Sequence, residues 1–176
     1  VIVGCGTSYY AGCIGKYVFE KLTEIDVQVE LASEFRYRKL NFPENTFIVA
    51  LSQSGETADT LAAIREAKRK GARLLGIVNV VGSSISRETE AGVYNHAGPE
   101  IGVASTKIFT SQLIILTLMA LLLGRHHKLS LTEGVAAIRA LQALPDMVKE
   151  VLSQAHHIEA IAEKYFKCDN WLFLGR

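Results

Sequence analysis

Residues 47–57 read FIVALSQSGET, an apolar run that changes abruptly into a loop of hydroxyls, an amide and a glycine. The near-continuous apolar character of residues 47–51 is typical of a strand buried on both faces, as the strands of a parallel sheet are. Residues 57–70 then place apolar side chains three apart with charged residues between them, which predicts an amphipathic helix. Gly71 follows as its C-terminal stop. A buried strand, a polar loop and a helix in this order indicate an α/β fold.

Apolar runs of the same kind recur on both sides of this stretch and alternate with longer helical patterns. The predicted fold is a three-layer α/β/α sandwich of the flavodoxin-like type, built around a five-stranded, mainly parallel sheet. The strands are predicted at residues 1–5, 27–31, 47–51, 74–79 and 92–96.

A further helix is predicted over residues 105–123, ended by Gly124. It is too apolar for a surface position. Its most apolar stretch, residues 113–123, is shorter than the ~20 residues that span a bilayer. We therefore expect this helix to be buried against the sheet.

The rest of the chain predicts a different organisation. Residues 131–144 and 147–166 have helical patterns separated by Pro145. The final residues return to an apolar run ending at glycine, like the one that opens the chain without a methionine, so both ends are expected to be cut. We predict an α/β domain over residues 1–124, a helical connector over residues 125–167, and the truncated first strand of a second α/β unit over residues 168–176.

Composition excludes several classes of protein. Hydrophobic residues make up 49% and charged residues 21%, so the chain is expected to fold. A net charge of +1, from 19 basic and 18 acidic residues, gives no broad basic field, and we expect no nucleic-acid and no membrane partner. The three cysteines lack metal-ligand spacing and fit a reducing, cytoplasmic setting. The adjacent histidine pairs are poor metal ligands, and no metal site is predicted.

The loop at residues 52–57 is the sharpest candidate for binding chemistry. One hydroxyl would suffice to cap the following helix, and this loop has three, with Gln53 and Gly55. A helix N-terminus offers unpaired N–H groups and a partial positive charge, which stabilise a bound anion without a lysine. The loop lacks the Gly-Lys-Ser/Thr of a nucleotide-binding Walker loop, so it predicts a phosphate monoester bound without magnesium. Glu56 would repel that phosphate, and we expect its side chain to point to solvent.

Two other loops lead from strands into helices. Residues 4–8, GCGTS, offer glycines for close backbone approach and hydroxyls as donors. A dinucleotide fingerprint would need glycine where the chain has Tyr9, which weakens an oxidoreductase hypothesis. Residues 98–107 have similar small residues, although Ser105 or Thr106 could merely cap the next helix. Lys107 is expected to be exposed and is left out of the site.

Four runs of sequence carry a resemblance to a known family. They are residues 4–8 (GCGTS), 32–38 (ASEFRYR), 52–60 (SQSGETADT) and 100–107 (EIGVASTK). Together they resemble the first sugar-isomerase (SIS) domain of the glucosamine-6-phosphate synthase family, the isomerising glutamine:fructose-6-phosphate aminotransferases. The serine-rich loops alone are typical of SIS domains in general, and the second and fourth runs narrow the resemblance to this family.

The resemblance implies a site and an activity. The parent enzyme would make glucosamine 6-phosphate from fructose 6-phosphate and glutamine, with no metal or redox cofactor. Independently of the resemblance, the long apolar helix and the truncated connector should leave hydrophobic surface that needs a partner, so we predict a homodimer through the SIS domains. The family residues around the phosphate match Ser8, Ser52, Gln53, Ser54 and Thr57. Those around the sugar match Cys5, Gly6, Thr7, Val103 and Ser105.

The resemblance also implies that catalytic groups lie elsewhere. The family's glutaminase cysteine, isomerisation glutamate, ring-opening histidine and imine-forming lysine match no position here, so no catalytic residue is assigned. The chain alone is expected to be inactive. A non-catalytic module that senses sugar phosphates is the alternative hypothesis, and a dinucleotide-binding domain is the third.

Overall fold

A computed structural model describes residues 1–39, 41–43, 45–102 and 104–174 of the chain. Five strands form one parallel sheet in the order β2-β1-β3-β4-β5. The strands are β1 (Ile2–Gly4), β2 (Val29–Leu31), β3 (Phe47–Ser52), β4 (Arg73–Val78) and β5 (Ala91–Tyr94). The helices are α1 (Gly6–Leu22), α2 (Ala32–Phe35), α3 (Ala58–Arg69), α4 (Ser84–Glu88), α5 (Lys107–His127), α6 (Leu131–Ser153) and α7 (Ala155–Tyr165).

The predicted α/β sandwich is confirmed. Every predicted strand is present, with boundaries that differ by one or two residues, and the sheet is parallel throughout the described residues. The chain divides into two compact units, Val1–Gly134 and Val135–Arg176, and the sheet lies entirely in the first.

Alternate side chains of β3 supply two separate hydrophobic cores, because successive residues of a strand point to opposite faces. Ile48 and Ala50 belong to a core that contains residues of α2, α3 and α4. Val49 and Leu51 belong to a second core, which contains residues of α1 and α5. The sheet is therefore the middle of three layers, which explains why residues 47–51 are apolar at every position.

Helix α5 runs one turn further than predicted. The sequence predicts a stop at Gly124, but the helix continues through this glycine to His127. A Cβ atom on Gly124 would lie 2.1 Å from the main-chain oxygen of Leu22, at the end of α1. Glycine is present at this position because two helices approach closely there, and it does not mark the end of α5.

By length and composition alone, α5 could cross a membrane, since the segment Lys107–His126 is long and apolar enough. A core helix of a soluble α/β domain passes the same test. Ile108, Leu116 and Ala120 are buried, and the last two belong to the core shared with α1 and the sheet. We interpret α5 as a core helix that packs one face against α1 and the sheet, whereas Leu118 and Leu122 on its other face are exposed, so the predicted burial holds for one face only.

The second unit consists of most of α6, all of α7 and a short tail. The predicted break at Pro145 is wrong, because α6 continues through this proline and the chain breaks at Gln154. Residues around Pro145 are mostly exposed, so water can hydrogen-bond to the carbonyl that loses its helical partner. Trp171–Leu174 have no regular secondary structure, and the predictions of a connector and of a second α/β unit stay predictions.

Candidate functional site

A cavity of about 240 Å³ lies beyond the carboxyl ends of the central strands. The chain leaves β1 toward one edge of the sheet and β3 toward the other, so this is the point where the strand order reverses. Ligands of open parallel sheets collect at such a point. The lining residues come from the loops that follow β1, β3 and β5 and from the first turn of α1, and they are Cys5, Gly6, Thr7, Ser8, Gln53, Ser54, Thr57, Glu100, Gly102 and Ser105.

The loop after β3 is held in shape by its own hydroxyls. The Ser52 side chain is 2% exposed; its Oγ atom lies 3.1 Å from Thr57 Oγ1 and accepts a hydrogen bond of 3.0 Å from the Gly55 amide. Ser54 Oγ accepts a hydrogen bond of 3.1 Å from the Glu56 amide. These bonds fix the backbone of the loop before any ligand arrives, which reduces the ordering cost of binding.

Two helix N-termini bring partial positive charge to the cavity. α1 begins directly after its N-cap residue Cys5, and α3 directly after its N-cap residue Thr57. Both N-cap residues line the cavity, and in the described structure neither forms a side-chain capping hydrogen bond. The first amides of a helix have no partner within the helix, so both ends can donate to an anion.

The Glu56 side chain does not line this cavity. Its residue is exposed, and Oε1 accepts a hydrogen bond of 2.7 Å from the backbone amide of Ser84. Hydrogen bonding to Ser84 lowers the pKa of the Glu56 carboxyl. The charge that would repel a phosphate is thus engaged with the start of the neighbouring helix α4.

The Glu100 side chain caps the N-terminus of α5, the third helix that begins beside the cavity. Its Oε2 atom accepts hydrogen bonds from Ser105 Oγ (3.0 Å) and from the amides of Thr106 (3.3 Å) and Ile108 (3.2 Å). Its Oε1 atom accepts one from Thr106 Oγ1, at 2.9 Å. Burial raises the pKa of Glu100, but the hydrogen bonds from Thr106, Ile108 and Ser105 outweigh it and the pKa falls below its ordinary value.

A buried polar pair connects the cavity to the core. Gln112 of α5 is 1% exposed, and its Nε2 atom donates a hydrogen bond of 3.0 Å to Ser8 Oγ. Ser8 lies in the first turn of α1 and lines the cavity. This hydrogen bond from the buried Gln112 therefore orients the Ser8 hydroxyl at the cavity.

Comparison with known proteins identifies the family. The sequence model of the SIS domain matches residues 1–122, which include all five strands and the whole cavity. This chain belongs to the SIS domain family.

Relatives of this SIS domain include two curated bacterial enzymes. The isomerising glutamine–fructose-6-phosphate aminotransferase of Chlorobaculum tepidum is 50% identical over 100% of this chain, and that of Thermus thermophilus is 47% identical over 99%. The chain spans only 29% of the length of either relative. A solved structure, the C-terminal domain of glucosamine-fructose-6-phosphate aminotransferase from Francisella tularensis, matches with a TM-score of 0.92 and 38% identity. That match covers 99% of this chain and 50% of the other.

All but two of the residues predicted for the site line the cavity of the SIS domain. Ser52 lies behind the loop, where it shapes the backbone, and its direct contact with a ligand stays a prediction. Val103 lies outside the described residues. The sequence reasoning missed Glu100 and Gly102 as lining residues and Gln112 as a support. A lone glutamine within an apolar helix was the signal for Gln112, whereas Glu100 gave none, since it lies six residues before the helix cap.

The lining of the cavity suits binding better than proton transfer. Its ionisable side chains, in the described residues, are those of Cys5 and Glu100, and the Glu100 carboxylate is engaged in hydrogen bonds. No group of three or more His, Cys, Asp and Glu side chains in the described part of the chain is placed to hold a metal ion. The site offers hydroxyls, main-chain amides and two helix dipoles, a set of donors for an anion.

Proposed function

We propose that this SIS domain binds a hexose 6-phosphate and is the first sugar-phosphate-binding part of an isomerising glutamine–fructose-6-phosphate aminotransferase. The observation that carries the proposal is the convergence of the α1 and α3 N-termini on one cavity whose described lining residues include no lysine or arginine. Such a site favours a phosphate monoester, because amides and hydroxyls bind its oxygens and the helix dipoles favour its charge.

The size of the cavity supports a small ligand. At about 240 Å³ it lies below the ~300 to 1,000 Å³ typical of pockets for drug-sized molecules. A hexose phosphate fits this class. The names of the relatives supply the reaction: fructose 6-phosphate and glutamine are the substrates of those enzymes. The described lining residues offer no free general base, so we propose that the chain alone binds the sugar phosphate and does not convert it.

Titration of the 176-residue chain with fructose 6-phosphate, followed by amide NMR, tests the proposal. We expect shifts at residues 6–8 and 53–57, and none with unphosphorylated fructose at the same concentration. A Ser54→Asp variant should lose most of the affinity, since it adds a negative charge where the phosphate binds. Ser33→Asp on α2, outside the cavity lining, is the matched control. Unchanged spectra at millimolar fructose 6-phosphate would refute the proposal.

A sensor module of the same family is the second candidate function. It is favoured by the same lack of a free general base among the described lining residues. The two candidates differ in the rest of the protein: catalytic domains beyond this region support the enzyme, and a DNA-binding or partner-binding segment supports the sensor.

We further propose a homodimer formed through the outer faces of α1 and α5. These helices share one layer of the domain, and their exposed sides carry Tyr10, Ile14, Tyr17, Leu118 and Leu122. Tyr10 and Tyr17 are 62% and 71% exposed, and several large apolar side chains exposed on two neighbouring helices are typical of an interaction surface. A second copy of this face would bury these side chains symmetrically.

A cytoplasmic setting completes the proposal. The three cysteines, Cys5, Cys13 and Cys168, are free thiols. A reducing compartment keeps such thiols unpaired. Cys5 lines the cavity, so oxidation there would interfere with the proposed ligand.

A further inference from the structure

We propose that Glu100 acts as a built-in anion that fixes the direction in which the sugar phosphate enters and excludes hexoses with a second phosphoryl group. This inference rests on the proposed function, because it names the class of sugar that the same cavity accepts. It makes Glu100 a specificity-determining residue.

The three helix N-termini beside the cavity are not equivalent. The N-cap residues of all three helices form no side-chain capping bond in the described structure, and the N-termini of α1 and α3 stay open to the cavity. That of α5 is already occupied, since the Glu100 carboxylate accepts hydrogen bonds from the amides of Thr106 and Ile108. A carboxylate at this position takes the place that an external anion would otherwise occupy.

The Glu100 carboxylate also orients the Ser105 hydroxyl, which in this proposal faces the sugar hydroxyls of the ligand. Ser105 Oγ donates to Glu100 Oε2 over 3.0 Å, and both residues line the cavity. The Ser105 oxygen is thereby left with its lone pairs as acceptors for a sugar hydroxyl. One wall of the cavity thus offers donors and positive charge, and another offers acceptors and a negative charge.

The charge of Glu100 persists at neutral pH. Its pKa is lowered by the hydrogen bonds that close α5, although burial acts in the opposite direction. The α5 dipole compensates part of this charge but leaves the group an anion. Glu100 lines the cavity, so a second phosphoryl group bound inside it would lie near the carboxylate and be repelled. A neutral hydroxyl at the same end of the ligand has no such conflict.

The test compares two probes on the 176-residue chain by calorimetry, fructose 6-phosphate and fructose 1,6-bisphosphate. We expect the wild-type chain to bind the monophosphate on the order of tenfold to a hundredfold more tightly. In Glu100→Gln, which keeps the size of the side chain and removes its charge, the ratio of the two dissociation constants should fall to about threefold or less.

Glu133→Gln is the matched control. Glu133 also closes a helix start, accepting bonds from the Ser130 amide (3.0 Å) and hydroxyl (2.6 Å), but it does not line the cavity. It should keep the wild-type ratio. A second measurement needs no variant: raising the salt concentration to about 0.5 M should reduce the wild-type ratio, since salt screens the repulsion.

The outcomes separate this inference from the proposed function. If the wild-type chain binds neither probe, the proposed function fails. If it binds both equally, or if Glu100→Gln keeps the full ratio, the exclusion by charge is wrong while the proposed function stands. If Glu100→Gln does not fold, a wild-type ratio that is independent of salt overturns the inference.

Discussion

Gly55 shows how one residue determines the shape of the loop after β3. Its φ is +67°, in the left-handed region that favours glycine, and a Cβ atom there would lie 2.0 Å from Ser83 Oγ. Gly71 has a φ of +84° but has nothing within 4 Å of the equivalent position. The two glycines have the same backbone requirement and differ in the space around them.

We therefore expect Gly55→Ala to lower the free energy of unfolding by about 3 kcal/mol or more, the sum of backbone strain and overpacking. Gly71→Ala should cost only the strain, about 1 to 2 kcal/mol. Urea unfolding followed by circular dichroism measures both. Adding Ser83→Gly should recover part of the loss in Gly55→Ala. Equal losses in the two single variants would show that Ser83 does not restrict Gly55.

The Ser8–Gln112 pair provides a second prediction for single residues. Both side chains are buried, so Ser8→Ala leaves an amide donor without a partner, at a cost of about 1 to 3 kcal/mol in the free energy of unfolding. Replacing both, with Ser8→Ala and Gln112→Leu, should recover most of it, because neither polar group then stays buried. Ser33→Ala, at a hydroxyl with a single contact of 3.5 Å, is the control. Additive losses in the double variant would contradict this account.

Single residues differ in how far sequence reveals them. Ser54 and Thr57 could be predicted because a strand followed by several hydroxyls and a helix has a recognisable local pattern. Glu100 could not, since its role depends on a loop that folds back so that its carboxylate reaches a helix beginning several residues later. Glu56 has the same charge and lies within the loop after β3, yet its carboxylate accepts a hydrogen bond from Ser84 and does not line the cavity.

At the scale of whole elements, Gly124 and Gly134 are a matched pair of helical glycines. A Cβ atom on Gly124 would lie 2.1 Å from the main-chain oxygen of Leu22, which cannot move without separating α1 from α5. A Cβ atom on Gly134 would lie 2.9 Å from Arg125 Cδ, in a flexible side chain that can shift. Both substitutions by alanine gain helix propensity, by about 1 kcal/mol.

We expect Gly124→Ala to lower the free energy of unfolding by about 2 kcal/mol or more, because overpacking outweighs the gain in propensity. Gly134→Ala should leave it unchanged or raise it by up to about 1 kcal/mol. Thermal and urea unfolding of the two variants give the comparison. A stabilised Gly124→Ala would show that the two helices tolerate a wider separation.

Elements were predictable where local patterns decide them. The strands at residues 47–51 and 74–79 could be placed because apolar runs bounded by polar loops reflect burial on both faces of a sheet. The ends of α5 and α6 could not be placed, because Gly124 and Pro145 are signals for a helix end in isolation. The contact between α1 and α5 overrides the first, and exposure of the neighbouring residues permits the second.

For the whole molecule, the topology of the sheet unites residues that are far apart in sequence. Residues that follow β1, β3 and β5, among them Ser8, Ser54 and Ser105, line one cavity because β1 and β3 are neighbours and the chain returns from β5 into α5, which packs beside α1. Parallel topology places the carboxyl ends of all strands on one side, so the loops were predictable as a group. The order of the strands then determines which of these loops lie next to each other around the cavity.

The proposed dimer is the prediction that concerns the whole molecule. In sedimentation velocity, the 176-residue chain should behave as a dimer at micromolar concentration, because a symmetric contact hides the apolar faces of α1 and α5. Replacing Tyr17 and Leu122 by lysine should give a monomer, since a charge on this face opposes burial. Tyr37→Lys, at a tyrosine that is 72% exposed outside α1 and α5, should leave the dimer intact. A wild-type chain that stays monomeric at high concentration would contradict the proposed dimer. A dimer that survives both lysine substitutions would show that the contact lies on another face.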